Sequence, residues 1–143
     1  MSIAHLGLAQ LENDFGKLIV GSDEMLEGML KAAADVMIDE TKEKAEAMLQ
    51  GEYYKGDIKK STRMGKIRKN ANGKYTSVIF YGTVVDKKHP RGERIARIAY
   101  INEYGKRSQP ARPFVRMAVL DGTRGALDAA SEVLGDYLSK NNL

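Results

Sequence analysis

Apolar residues recur at helical spacing in two long stretches of this chain and at strand spacing in one stretch between them. Leu26, Met29, Leu30, Ala33, Val36 and Met37 form a stripe that resumes at Met48 and Leu49, the spacing of an amphipathic helix. Ser22 is a capping residue, and Asp23 and Glu24 place negative charge in the first turn, where the helix dipole favours it. Gly51 is a natural stop. The pattern predicts a helix over 23–50, core-facing in its first half and solvated over the charged run 39–46. Upstream, residues 1–21 read as a lead-in: a short strand at His5-Leu6-Gly7-Leu8, then one or two helical turns marked by Leu11, Phe15 and Leu18. Gly16 and Gly21 weaken any long helix there.

The second helical stretch carries Phe114, Met117, Ala118, Ala126, Leu127, Ala130, Val133, Leu134, Tyr137 and Leu138. Gly122 and Gly125 mark a break or kink in it. A shorter helix with Ile95, Ile98, Ala99 and Asn102 ends at Gly105. Two polar loops flank it: 86–94, with His89-Pro90 and Gly92, and 105–113.

Between the long helices, residues 58–85 read as a hairpin or part of a sheet. Asn70-Ala71-Asn72-Gly73 is a turn signal, and 75–85 is rich in Tyr, Thr, Val, Ile and Phe. Both faces of that strand are apolar: Tyr75, Ile79, Tyr81 and Val85 on one, Val78, Phe80 and Val84 on the other. This predicts cover on both sides, by helices on one and a neighbour on the other. The strand before it, with Thr62, Met64 and Ile67 among basic residues, reads as an edge strand protected by its charge.

The sum is an α+β fold: a long N-terminal helix and a C-terminal helix packed on a small, mostly antiparallel β-sheet with an extended basic hairpin. The 143 residues, 43% hydrophobic and 29% charged, suit one domain over 1–143. With no cysteine, disulfides and thiolate metal sites are excluded. No apolar run approaches the roughly 20 residues a membrane span needs, and the first ten residues lack the pattern of a signal peptide. Synthesis in the cytoplasm fits, and leaving the cell would then need lysis.

Charge sharpens the middle of the picture. The net charge is +4, but 55–97 holds most of the cations, including Lys59, Lys60, Arg63, Lys66, Arg68, Lys69, Lys74, Lys87, Lys88, Arg91 and Arg94, opposed there by Asp57, Asp86 and Glu93. Cations interleaved with Tyr53, Tyr54, Tyr75 and Tyr81 suit phosphate binding and base stacking. They equally suit an acidic protein partner, or a solvated strand face.

Catalytic chemistry finds little support. His5 and His89 lie far apart in sequence, without the close ligand spacing of a metal site. No phosphate-binding glycine loop and no nucleophile elbow occur, and Asp39 and Glu40 fit a solvated helix face. The expectation is a protein that is not an enzyme and takes no cofactor.

The string Ala99-Tyr100-Ile101-Asn102-Glu103-Tyr104-Gly105, a short loop, then Pro110-Ala111-Arg112-Pro113-Phe114-Val115-Arg116-Met117-Ala118 resembles the tail-completion or head–tail joining (neck) family of long-tailed bacteriophages and prophages. Glu103, Tyr104 and Gly105 match the family's Glu-aromatic-Gly element, and Ala111, Arg112, Pro113, Phe114, Arg116 and Ala118 its Ala-Arg-Pro-Phe segment. Lys106 replaces the usual Thr and Met117 the usual Pro. Gly56, Ile58 and Ser61 resemble a further Gly-x-x-x-x-Ser element, with Lys55 and Thr62 departing from it. The order of elements also agrees, over about three quarters of the chain.

The resemblance implies a structural virion protein at the head–tail junction or the head-proximal tail end. It implies a homo-oligomeric ring, hexamer or dodecamer, beside head connector and tail-tube or tail-terminator proteins, with DNA passing nearby without tight specific binding. In physical terms Gly105 ends a helix at positive φ, Pro113 opens the next, Phe114 anchors it, and Arg112 can pair with Glu103, within the subunit or across an interface. For the ring contact, Lys66, Arg68, Lys69, Lys87, Lys88 and Arg91 are the candidate interface. They would face Asp39, Glu40, Glu43 and Glu46 on the long helix of a neighbouring subunit.

Overall fold

The computed structural model describes residues 3–51 and 56–143; Tyr53, Tyr54 and Lys55 lie outside the described residues. The described elements, in order, are α1 (Ile3–Met48), α2 (Asp57–Ser61), β1 (Thr62–Met64), β2 (Arg68–Asn70), β3 (Gly73–Tyr75), β4 (Val78–Phe80), β5 (Thr83–Val84), β6 (Glu93–Arg94), α3 (Ile95–Tyr104) and α4 (Phe114–Lys140). The architecture is α+β, as expected, with the two long helices as its frame.

α1 runs for 46 residues, about 69 Å at 1.5 Å per residue, so the expected strand at 5–8 and the lead-in are helical instead. The glycine penalty of about 1 kcal/mol in a helix interior is offset at Gly21 by packing. A side chain there would overlap the Tyr137 ring, and the Tyr137 hydroxyl donates to the Lys17 carbonyl at 2.9 Å. Gly16 has open space around it, and packing gives no account of it.

α4 packs antiparallel to α1. Val133 meets Gly28, Gly125 meets Val36, and Gly122 meets Met37 and Glu40. Of the break or kink expected at Gly122 and Gly125, the break is absent: α4 is continuous through both. A Cβ at Gly122 would sit 2.8 Å from Glu40 Cγ, so this glycine serves close approach between helices. Lys44 bonds Asp121 at 2.5 Å across the same seam.

The core lies at the far end of α1, where α2, α3, β4 and the first turn of α4 converge. Ala45, Leu49, Ile58, Ile95, Ala99 and Phe114 are buried together, with Met48, Phe80, Val84, Ile98 and Val115 packed round them. Phe80 and Phe114 meet edge to face, with centroids 5.8 Å apart.

The expected small sheet is three two-stranded antiparallel pieces. β1 pairs with β4 and β2 with β3 in one interrupted hairpin, in the registers Arg63↔Ile79 and Arg68↔Tyr75. Between the pieces, the Gly65 N–H donates to the Ser77 carbonyl at 2.7 Å. The hairpin does not reach back to residue 58, because 57–61 form a short helix. The predicted strand over 75–85 is broken at Thr76-Ser77 and at Gly82, whose φ is 108°. Among the described residues only its Val78, Phe80 and Val84 face is covered; Tyr75, Ile79, Tyr81 and Val85 are exposed. The expected cover on both faces is therefore not supplied by the subunit itself.

Candidate functional site

The family-like residues fold into one knuckle joining α3 to α4. α3 ends at Gly105, whose φ of 78° suits glycine. A side chain there would also meet the Ala111 amide nitrogen at 2.8 Å and the Gln109 carbonyl at 3.0 Å, so position 105 is restricted twice over. The loop then closes on itself through Lys106 and Gln109, each N–H donating to the other's carbonyl at 2.9 Å. It is strapped to α3 by the Arg112 N–H on the Asn102 carbonyl at 2.6 Å and by the Gln109 side-chain amide on Asn102 Oδ1 at 3.1 Å.

Glu103 completes the knuckle in a way the sequence reading missed. Its carboxylate accepts from the Val115 N–H at 2.8 Å and the Arg116 N–H at 3.0 Å. A carboxylate from one helix thereby caps the first turn of another, where free amides and the helix dipole both favour it. The Glu103–Arg112 pair does not form within the subunit, because that carboxylate is taken by backbone. Arg112 instead reaches the Gln50 carbonyl at 3.4 Å. Pro113 is the N-cap residue and Phe114 the first helical one, so the proline sits one position earlier than expected. Phe114 and Ala118 are fully buried, whereas Tyr104 and Arg116 face outward, with Tyr104 against Tyr100 at 4.7 Å between ring centroids.

The other motif is structural too. Gly56 precedes α2 in a left-handed conformation. Ile58 is buried, and the buried hydroxyls of Ser61 and Thr62 donate to its carbonyl at 2.9 and 2.7 Å. The Ser61 carbonyl accepts from the Tyr81 N–H at 3.1 Å, which ties α2 to the hairpin.

An ion-pair cluster ties the outer end of the basic hairpin to α1. Lys74 lies 2.8 Å from Glu27 and 3.4 Å from Asp23. The hydrogen bond to Lys74 and its charge hold the Glu27 carboxyl below its ordinary range, and the bond to Glu27 raises the Lys74 ammonium against the opposing effect of desolvation. Lys59 is taken by Glu46 at 2.5 Å. Lys60, Arg63, Lys66, Arg68 and Lys69 are exposed and make no ion pair among the described residues. Arg63 lies over the Tyr81 ring, 4.8 Å from its centroid. The acidic face of α1, expected to meet a neighbour, is partly engaged within the subunit, because Glu46 holds Lys59 and Glu40 packs on Gly122.

Lys87, Lys88 and Arg91 sit apart from the hairpin strands, in the turn joining β5 to β6. Asp86 organises that turn, accepting from the Lys88 and His89 N–H groups at 2.9 and 2.7 Å and from His89 Nδ1 at 3.1 Å. Desolvation pushes the Asp86 carboxyl up, but the hydrogen bonds and charge of the turn prevail and leave it below its ordinary value. His89 is half-buried here, and the Asp-x-x-His spacing is the trace of this turn in the sequence. The turn borders a cleft of about 510 Å³ that is also lined by Asp57, Arg97, Asn102 and Arg112. No group of three metal-ligating side chains occurs among the described residues, and no described helix is long and apolar enough to cross a membrane. Set against family models, curated proteins and solved structures, the chain has no match.

Proposed function

We propose that this chain is a structural virion protein of a tailed bacteriophage or prophage, acting in tail completion or head–tail joining as a subunit of a homo-oligomeric ring. Its neighbours in this reading are the head connector and the tail-tube or tail-terminator proteins, and its place is the virion, after synthesis in the host cytoplasm. The observation that carries the reading is the knuckle. The residues resembling the neck family are the ones whose chemistry a fold would constrain: Gly105 by its backbone, Glu103 by the amides it caps, and Phe114 by the core. Side chains left over, on the hairpin and along α4, form contact surfaces in this reading.

Deleting the gene from the phage or prophage that encodes it tests this reading. Lysates should then contain filled heads and separate tails, and wild-type particles should carry the protein by mass spectrometry. Normal infectious particles from the deletion would overturn the reading.

A small nucleic-acid-binding module is the second reading, favoured by Arg63 over Tyr81 and by Arg68 opposite Tyr75 on an exposed face. Duplex and single-stranded DNA titrated at near-physiological salt separate the two. The virion reading expects weak binding, on the order of 10⁻⁴–10⁻⁶ M, and nanomolar sequence-selective binding would move the assignment to the second.

A further inference from the structure

The hairpin carries positive charge that the described part of the subunit leaves unanswered. From 58 to 85 the sequence contains seven cations and no acidic residue. Lys59 is taken by Glu46 and Lys74 by Glu27. Lys60, Arg63, Lys66, Arg68 and Lys69 are exposed and make no ion pair among the described residues. Three of these five are lysines. Protein contact surfaces are depleted in lysine, whereas surfaces that neutralise phosphate use lysine and arginine alike. A polyanion with a phosphate backbone therefore fits this face better than a protein does.

The same face presents flat rings. Side chains alternate across a strand, and the pair Lys69↔Lys74 lies on the side turned to α1, because Lys74 bonds Glu27. Arg68 and its partner Tyr75 lie on the side turned away. In the adjoining piece Thr62 is buried, and the next pair, Arg63↔Ile79, is exposed. Tyr75 and Tyr81 are 44% and 63% exposed. Arg63 lies over the Tyr81 ring at 4.8 Å, and a guanidinium is itself a plane on which a base can stack. The two tyrosines are no more than about 22 Å of extended chain apart, a distance that one short oligonucleotide spans. Stacking of this kind needs bases that are not held in a duplex, and it tolerates any base, because every base has a π-face.

We infer that the outer hairpin face binds single-stranded nucleic acid without sequence selection: Arg63, Lys66 and Arg68 neutralise phosphates, and Tyr75 and Tyr81 stack bases. Duplex DNA is the weaker ligand, since its bases must leave their own stack to reach the rings. The inference rests on the nucleic-acid reading of the hairpin given second above, and adds to it the strand type and the division of labour between charge and ring. A ring subunit of the first reading can carry the same face. Binding through phosphates falls steeply with salt, and at near-physiological salt it lies in the weak range stated there.

The test uses the full chain and a fluorescein-labelled oligothymidylate of about 12 residues, within the site size of such surfaces, read by fluorescence anisotropy. At low salt Kd should be on the order of 10⁻⁶ M or tighter, and log K should fall with log salt at a slope of roughly −2 to −3.5, about −0.7 for each of three to five phosphates. Arg63→Gln with Arg68→Gln should weaken binding by on the order of tenfold and flatten the slope by about 1.4. Arg116→Gln with Arg124→Gln removes the same charge from exposed positions on α4, and should change Kd by less than about twofold, because distant charges are screened. Tyr75→Leu with Tyr81→Leu should weaken single-strand binding by on the order of tenfold or more, with the salt slope and duplex binding unchanged. Each tyrosine is also changed singly, and melting curves compare every variant with the wild type, so a fold defect at one position leaves the other readable. No binding at low salt overturns both the inference and the nucleic-acid reading. Duplex bound as tightly as the single strand, with the tyrosine changes silent and the arginine changes felt, overturns the inference and leaves that reading standing. An equal loss from the α4 pair would reduce the binding to net charge, and displacement of the oligonucleotide by polyglutamate of matching charge would assign the face to an acidic protein; either result overturns the inference.

Discussion

The knuckle at 103–118 and the hairpin at 62–81 draw on the same kinds of side chain, and they aim them in opposite directions. In the knuckle, Phe114 is buried against Phe80, Glu103 is engaged by two amides, and Arg112 reaches a carbonyl. In the hairpin, Ile79, Tyr81, Arg63 and Arg68 remain at the surface. The knuckle is held within the chain because Asn102, Glu103, Gln109 and Arg112 all find hydrogen-bond partners there. The hairpin face exposes apolar and charged groups together, a combination that marks interaction sites. A recognisable motif here thus identifies where the fold is held, and the contact surface has to be found from what the fold leaves uncovered.

That contrast is broken most forcefully at Phe114. Phe114→Ala removes a fully buried ring and should cost about 3–5 kcal/mol, read by chemical denaturation; wild-type stability would place the ring outside the core. Gly105→Ala comes next. It forces a side chain into a left-handed conformation, at about 1–3 kcal/mol, and against the Ala111 amide, so the melting temperature should fall although a methyl group has been added. Glu103→Ala should cost about 0.5–2 kcal/mol, the range for a lost helix cap. Amides 115 and 116 should then exchange faster with solvent, while amides in the hairpin keep their rates.

A smaller effect belongs to the turn at 86–92. Asp86 titrates below its ordinary value in the folded chain, so its stabilising contribution is full above the unfolded aspartate value and is lost as pH falls through the folded one. Asp86→Asn should therefore be less stable than the wild type at neutral pH. The gap should close only in acid, below the usual aspartate range, as a pH series of melts will show.

Much of this frame was legible in the sequence. The 3.6-residue stripe placed both long helices, and Gly105 and Phe114 announced their roles through residue type alone. What escaped reading depended on contacts between distant segments. Gly21 and Gly122 looked like helix breakers because the side chains that need their space, Tyr137 and Glu40, come from another helix. Glu103 looked like a partner for Arg112 because charge suggests ion pairs, whereas the amides it caps become available only once α4 has formed. The strand at 75–85 looked covered twice because alternation reveals which residues are apolar and says nothing of what lies over them.

The central claim is that fold and assembly reside in different residues. Its most direct test is particle formation with Arg63→Glu/Arg68→Glu supplied in place of the wild-type chain, scored by electron microscopy of lysates. Both arginines are exposed, and the variant should keep its stability within about 1 kcal/mol. The account predicts unjoined heads and tails or aberrant tails from this folded protein. Normal infectious particles in wild-type numbers would contradict it.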